Sequence, residues 1–206
     1  MSVLDYWSVR LAIVCTAVFM LQFVFEPLTD HLVLVSTDVL ARPWTLLTSV
    51  FAHGGIEHLF YNMFGLLLFG MVLENAVGPR RWLLIFSTAG LLGGLATLPL
   101  YPASLGASGA IFGIMGALAV LRPHMTVYMS WVPMPMSAAV VVWAAGDLIG
   151  LFVPSGVANA AHLAGLAIGL VLGWRWRDRF GEVPVRRSSP LKIPESRWRR
   201  WEDEYL

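Results

Sequence analysis

Six apolar runs, each close to the length of a bilayer crossing, constrain this chain more than any single motif does. They cover residues 8–25, 56–73, 82–98, 107–121, 136–152 and 158–174. A spanning helix needs about 20 predominantly apolar residues, with roughly 17 as a lower limit. Breakers separate the runs: Glu26-Pro27, Gly78-Pro79, Pro99 with Pro102, Arg122-Pro123, Pro133 with Pro135, and Pro154-Ser155-Gly156. Composition agrees. The chain is 57% hydrophobic and 13% charged, with a mean hydropathy of +0.69, whereas soluble domains are about 45–50% apolar and about 25% charged. The pattern predicts an all-α polytopic membrane protein with six transmembrane helices. The fourth run is the shortest, as suits a helix surrounded by protein. No Lys or Arg precedes the first run and no small-residue cleavage site ends it, so a retained helix is expected. The single cysteine, Cys15, lies in an apolar run and allows no intrachain disulfide.

Basic residues set the expected orientation. With a cytoplasmic N-terminus and six crossings, Arg10, Arg80, Arg81, Arg122 and every Lys and Arg from Arg175 to Arg200 fall on the cytoplasmic side. Of the 14 Lys and Arg, only Arg42 then lies opposite. Both termini are therefore expected in the cytoplasm, and a plasma-membrane location is expected. Residues 26–55 form a long apolar connection expected to lie in the interface or fold against the bundle. Residues 1–176 are read as one domain and 177–206 as a basic tail. In that tail Trp198, Trp201 and Tyr205 recur at helical spacing among Arg197, Arg199 and Arg200, a pattern suited to lying on anionic lipid.

Polar groups inside spans are expensive and mark candidate sites. Ser108 opens the fourth run within Gly106-Ala107-Ser108-Gly109. His162 lies near the start of the sixth, and His58 and Asn62 share one face of the second. These three runs share one direction, so the four side chains converge in a layer roughly 5–10 Å below one surface. G-x-S-G alone is equally a packing motif, but Gly165, Gly169 and Gly173 form a second small stripe on the sixth run. Such stripes let helix backbones approach closely, which brings Ser108 within reach of His162. A serine hydroxyl needs a base, usually histidine, and the oxyanion needs preorganised donors. The Asn62 amide, the His58 ring and the Ser108 backbone N–H can supply them. No acid stands obviously behind His162. Asp147, in the fifth run, is expected to be a structural polar contact or a partner for water, with the chemistry left to a dyad.

The chain resembles the rhomboid intramembrane serine proteases. The resemblance rests on Phe51-Ala52-His53, on His58-Leu59-Phe60-Tyr61-Asn62, and on Gly70, Glu74 and Gly78. It continues in Gly106-Ala107-Ser108-Gly109 and in Ala161-His162-Leu163-Ala164-Gly165 with Gly169. It implies a six-helix core, Ser108 as nucleophile, His162 as general base, and His58 and Asn62 as oxyanion donors. Gly106, Gly109, Phe112 and Gly165 support them. It further implies transmembrane protein substrates cut in or near the membrane, generally after a small residue, with no metal, cofactor or nucleic acid. Two positions depart from some members. Trp44 is followed by Thr45 where an arginine occurs, and Phe112 stands where a tyrosine stacks on the histidine.

Three other readings are weaker. An inactive client-binding relative would typically lack the serine or histidine. His53, Glu57 and His58 do not form the H-E-x-x-H of a metalloprotease. A transporter would show inverted repeats and charges along a path.

Overall fold

Every one of the six apolar runs is a helix in the computed structural model, which describes residues 2–153, 156–182 and 204. In chain order α1 is Trp7–Val24, α2 Pro27–Leu32, β1 Leu34–Val35 and α3 Thr45–Thr48, followed by a 3-10 turn over Ser49–Phe51. Next come α4 (Ile56–Val77), α5 (Pro79–Thr97), β2 (Ala103–Ser104) and α6 (Ser108–Leu121). The chain continues through β3 (Thr126–Met129), β4 (Val132–Pro135), α7 (Met136–Gly150) and α8 (Asn159–Phe180). Two helices, α1 and α4, are each long and apolar enough to cross a membrane; α6 and α7 are shorter apolar helices. The tail's Trp198, Trp201 and Tyr205 and the breaker pair Pro154-Ser155 lie outside the described residues.

Two helices outrun their apolar stretches. α4 continues past Leu73 to Val77, because Glu74 is buried within the bundle and Gly78, at φ 82, ends the helix. α8 continues past Trp174 to Phe180, so the boundary expected at 176 falls inside a helix. Arg122 Nη1 donates to the Phe180 carbonyl at its end, and the Arg81 guanidinium lies 4.7 Å from the Phe180 ring.

α6 forms the centre. All of it is buried except Ser108, Phe112, Ala119 and Val120. Its contact with α8 is backbone on backbone. A Cβ added at Gly165 would lie 1.9 Å from the Gly109 carbonyl oxygen, and one at Gly169 1.9 Å from that of Gly113. Only glycine fits at such spacing. Gly116 has the same constraint from the α6 side, against the Leu166 carbonyl, while Gly113 is closed in by Ala89 of α5.

α1 is anchored by polar contacts from distant segments. The N-terminal amides of a helix have no intrahelical partner, and the buried Glu74 carboxylate supplies acceptors from α4. It accepts from Trp7 N–H at 2.8 Å, Ser8 N–H at 3.0 Å and Ser8 Oγ at 3.1 Å. Gly70, one turn before Glu74, leaves room for Ser8, whose Cβ lies 2.8 Å from where a Gly70 Cβ would be. Near the other end of α1, buried Gln22 accepts from His53 N–H at 3.0 Å and donates to the His53 carbonyl at 3.3 Å.

The long connection 26–55 folds against the bundle. Its β1 pairs antiparallel with β2, Leu34 opposite Ser104. Arg42 bridges Asp38 at 2.7 Å, and the Trp44 indole donates to the His31 carbonyl. Between α6 and α7 the structure differs from a simple proline-broken loop. β3 and β4 form a hairpin whose two turn residues, Ser130 and Trp131, both have positive φ, as a two-residue primed turn requires. Pro133 and Pro135 oppose Tyr128 and Thr126. Those are the non-hydrogen-bonded positions of the ladder, where a missing N–H costs no bond.

Candidate active site

The approach to Ser108 is fixed by the segment before it. Ser36 N–H donates to the Pro102 carbonyl at 3.0 Å and Gly106 N–H to the Ser49 carbonyl at 2.9 Å. The Thr97 and Ser104 hydroxyls lie 2.9 Å apart. Gly106 has φ 116, and a Cβ there would lie 2.7 Å from both Cε1 and Nε2 of His58. Backbone conformation and the His58 ring therefore both demand glycine. Ser108 is then the first residue of α6, and the first intrahelical bond comes from Ile111 N–H to the Ala107 carbonyl. The N–H groups of Ser108, Gly109 and Ala110 precede that ladder, at the positive end of the helix dipole.

His162, in the first turn of α8, meets three side chains from two helices, α6 and α7. Its Nε2 is 2.8 Å from Ser108 Oγ, a hydrogen-bonding distance. The Phe112 ring stacks on the imidazole with centroids 4.2 Å apart and planes 7° from parallel. Nδ1 is 2.9 Å from Asp147 Oδ1 of α7. This corrects the sequence expectation that no acid stands behind His162. The reason is helical-hairpin register: Asp147 lies three residues before the end of α7, and His162 three residues after the start of α8. In an antiparallel pair such residues are level, each about 4.5 Å along its axis from the connection.

His58 and Asn62 line the same cavity as Ser108, Phe112 and His162. Asn62 is buried and its amide donates to the His58 carbonyl at 2.8 Å, one turn back. The other amide hydrogen takes no part in that bond. Gly54 N–H approaches His58 Nδ1 at 3.5 Å, which leaves Nε2 on the side of Gly106. His53 packs edge-on against His58 with centroids 5.2 Å apart, and its Nδ1 lies 3.2 Å from the Phe51 carbonyl. Burial, assisted by the neighbouring His58, lowers the His53 pKa to about 4. Gln22 and His53 escaped the sequence reading of the site, although Gln22 is a polar residue inside a span and carries the usual signal for one.

The cavity has a volume of about 2030 Å³. Ser108, His162, His58 and Asn62 all line it, as do Ser104, Thr126 and Tyr128. Most of the lining is apolar, drawn largely from α4 and α6, and Phe69 and Trp143 meet there edge to face at 6.1 Å.

A sequence model of the Rhomboid domain matches residues 40–179, which contain every one of these side chains except Gln22. The chain belongs to the rhomboid family. Among its rhomboid relatives is the mitochondrial RHOMBOID-like protein 6 of Arabidopsis thaliana. It is 35% identical over 178 residues, covering 78% of this chain and 57% of that protein. Rhomboid protein 1, mitochondrial, of Saccharomyces cerevisiae is 31% identical over 152 residues, covering 68% and 44%. Rhomboid protease GluP of Bacillus subtilis is 34% identical over 128 residues, covering 61% and 24%. The chain thus spans less than two thirds of the length of each. Rhomboids are integral membrane proteins, and this one shares that character.

Proposed function

We propose that this rhomboid is an intramembrane serine endopeptidase working through Ser108 and His162. The observation that carries the reading is the 2.8 Å separation of Ser108 Oγ and His162 Nε2 in a largely apolar cavity. Ser108 Oγ attacks the scissile carbonyl carbon while its proton passes to His162 Nε2. The oxyanion is held by N–H groups at the start of α6, the His58 ring and the Asn62 amide. Collapse of the tetrahedral intermediate breaks the C–N bond, and His162 returns the proton to the leaving amine. Water then hydrolyses the acyl-enzyme with His162 again as base. Transmembrane protein segments are the proposed substrates, and the largely apolar lining of the cavity is chemically suited to receive one.

The same reading takes α1, α4, α5, α6, α7 and α8 as the six spans, with both termini on the cytoplasmic side. Supporting it, Arg80, Arg81, Arg122, Arg175, Arg177 and Arg179 gather at the end of the bundle opposite Ser108 and His162. The active site then opens on the non-cytoplasmic face. The charge pattern sets orientation and not which membrane, and the mitochondrial relatives do not support the expected plasma-membrane location. Residues 177–206 carry the proposed tail, its first four residues being the last turn of α8.

The test pairs wild type with Ser108→Ala, each incubated with a reporter transmembrane substrate and with a fluorophosphonate probe. Wild type cleaves and is labelled, whereas Ser108→Ala does neither; equal cleavage or equal labelling overturns the mechanism. Asn62→Ala retains more activity than His162→Ala, as loss of one oxyanion donor costs about 10²–10³ in rate.

A further inference from the structure

We propose that Asp147 is a positioning residue for this hydrolysis, holding His162 in the Nδ1–H tautomer and stabilising its imidazolium form. The inference rests on the Ser108–His162 reading and adds a third group to it.

Geometry and proton accounting carry the argument. For Ser108 O–H to donate to His162 Nε2, that nitrogen must present its lone pair. The ring proton then sits on Nδ1, and which nitrogen carries it is governed by the partner of the other. Asp147 Oδ1, 2.9 Å from Nδ1, accepts a hydrogen bond from that N–H. Stacking on Phe112 fixes the ring plane, and the two in-plane hydrogen bonds fix its rotation.

The setting of the carboxylate points the same way. The Asp147 side chain is 9% exposed, and its Oδ2 is buried without a hydrogen-bond partner among the described residues. The ion pairs of the described residues give it no Lys or Arg, and His162 is its one partner there. A buried carboxylate without a cation is costly. That cost is offset when proton transfer turns His162 into imidazolium 2.9 Å away, so the attraction is strongest along the reaction path rather than at rest. A group whose interaction strengthens as charge develops contributes to rate rather than to binding. A purely structural tie between α7 and α8 would be served equally by a neutral amide.

The experiment is Asp147→Asn in the full chain, assayed beside Ser108→Ala and wild type for kcat, KM, fluorophosphonate labelling and thermal melting. Asparagine keeps the size and can still bridge the helices, but its amide can donate to Nδ1 and favour the wrong tautomer. The expected result is a loss of about 10⁴-fold in kcat, as for the corresponding Asp-to-Asn change in a Ser-His-Asp triad. KM stays within about threefold and labelling slows in parallel. Asp147→Glu recovers part of the rate. A kcat for a folded Asp147→Asn within about threefold of wild type overturns the proposal. If Asp147→Asn does not fold, nitrogen NMR of histidine-labelled wild type decides, with the His162 signal assigned by its loss in His162→Gln. Protonation at Nδ1 supports the proposal and protonation at Nε2 refutes it. Cleavage by Ser108→Ala would instead defeat the underlying mechanism, whatever Asp147→Asn does.

Discussion

Gly169→Ala tests the contact that sets the spacing of α6 and α8, the helices that carry the proposed nucleophile and base. The added methyl would lie 1.9 Å from the Gly113 carbonyl oxygen, where ordinary contact begins at 3.4 Å. Backbone is on the receiving side, so no rotamer change relieves the clash, and α8 has to move from α6 by about 1.5 Å. Overpacking of this kind costs about 1–3 kcal/mol, and a clash with backbone belongs at the upper end. About 3 kcal/mol lowers the melting temperature by roughly 6–12 °C for a chain of this size. Activity falls further than stability. A 1.5 Å displacement removes the 2.8 Å Ser108–His162 bond, and a misplacement near 1 Å costs about 10²-fold in rate. The assay is thermal melting in detergent micelles together with turnover of a reporter substrate. Gly146→Ala is the control: nothing lies within 4 Å of its added Cβ, and alanine favours the helix by about 0.5–1 kcal/mol. Gly169→Ala melting within about 1 °C of wild type and turning over normally would refute the claim that glycine contacts fix this spacing.

Glu74→Ala strands the Trp7 and Ser8 donors and should destabilise the bundle by about 2–3 kcal/mol, read by melting. Turnover per folded molecule should be unchanged. Phe112→Ala removes the ring stacked on His162; a stacked pair is worth about 0.5–1.5 kcal/mol, so kcat should fall by about 2–12-fold with little change in KM. His53 takes up a proton near pH 6.5 in the unfolded chain but only near 4 when folded. Its contribution to stability is therefore full above 6.5 and is lost as pH falls, amounting to roughly 2 kcal/mol by pH 5. A His53→Gln variant should show a correspondingly flatter acid limb in melting temperature against pH.

The helices were legible because bilayer length and helical period are one-dimensional signals. Ser108, His162, His58 and Asn62 were legible as a group because shared depth follows from span direction, and the glycine stripes identified which helices touch. What escaped depends on lateral register. Asp147 was visible as a polar residue in its span, but its match to His162 appears only when the two helices are counted outward from their shared connection. Gln22 binds the backbone of His53 rather than a side chain, so no pairing of residue types announces it. The β3–β4 hairpin was obscured by Pro133 and Pro135, which usually argue against a strand; their alternation places both where the ladder asks for no donor.

The distribution of buried residues along α7 separates the two hydrogen bonds of the His162 ring mechanically. Met136, Ala139 and Val140 seat the first part of α7, and beyond them its only buried residue is Asp147. Val141, Val142, Leu148 and Ile149 are exposed, and Gly150 rests on the Asn159 side chain. Ser108 and His162, by contrast, ride on two helices locked carbonyl against Cα. A swing of the C-terminal half of α7 leaves the serine–histidine distance untouched while it stretches the bond to the carboxylate. Ser108 and His162 thus sit on one locked helix pair, and Asp147 sits on a helix end seated separately.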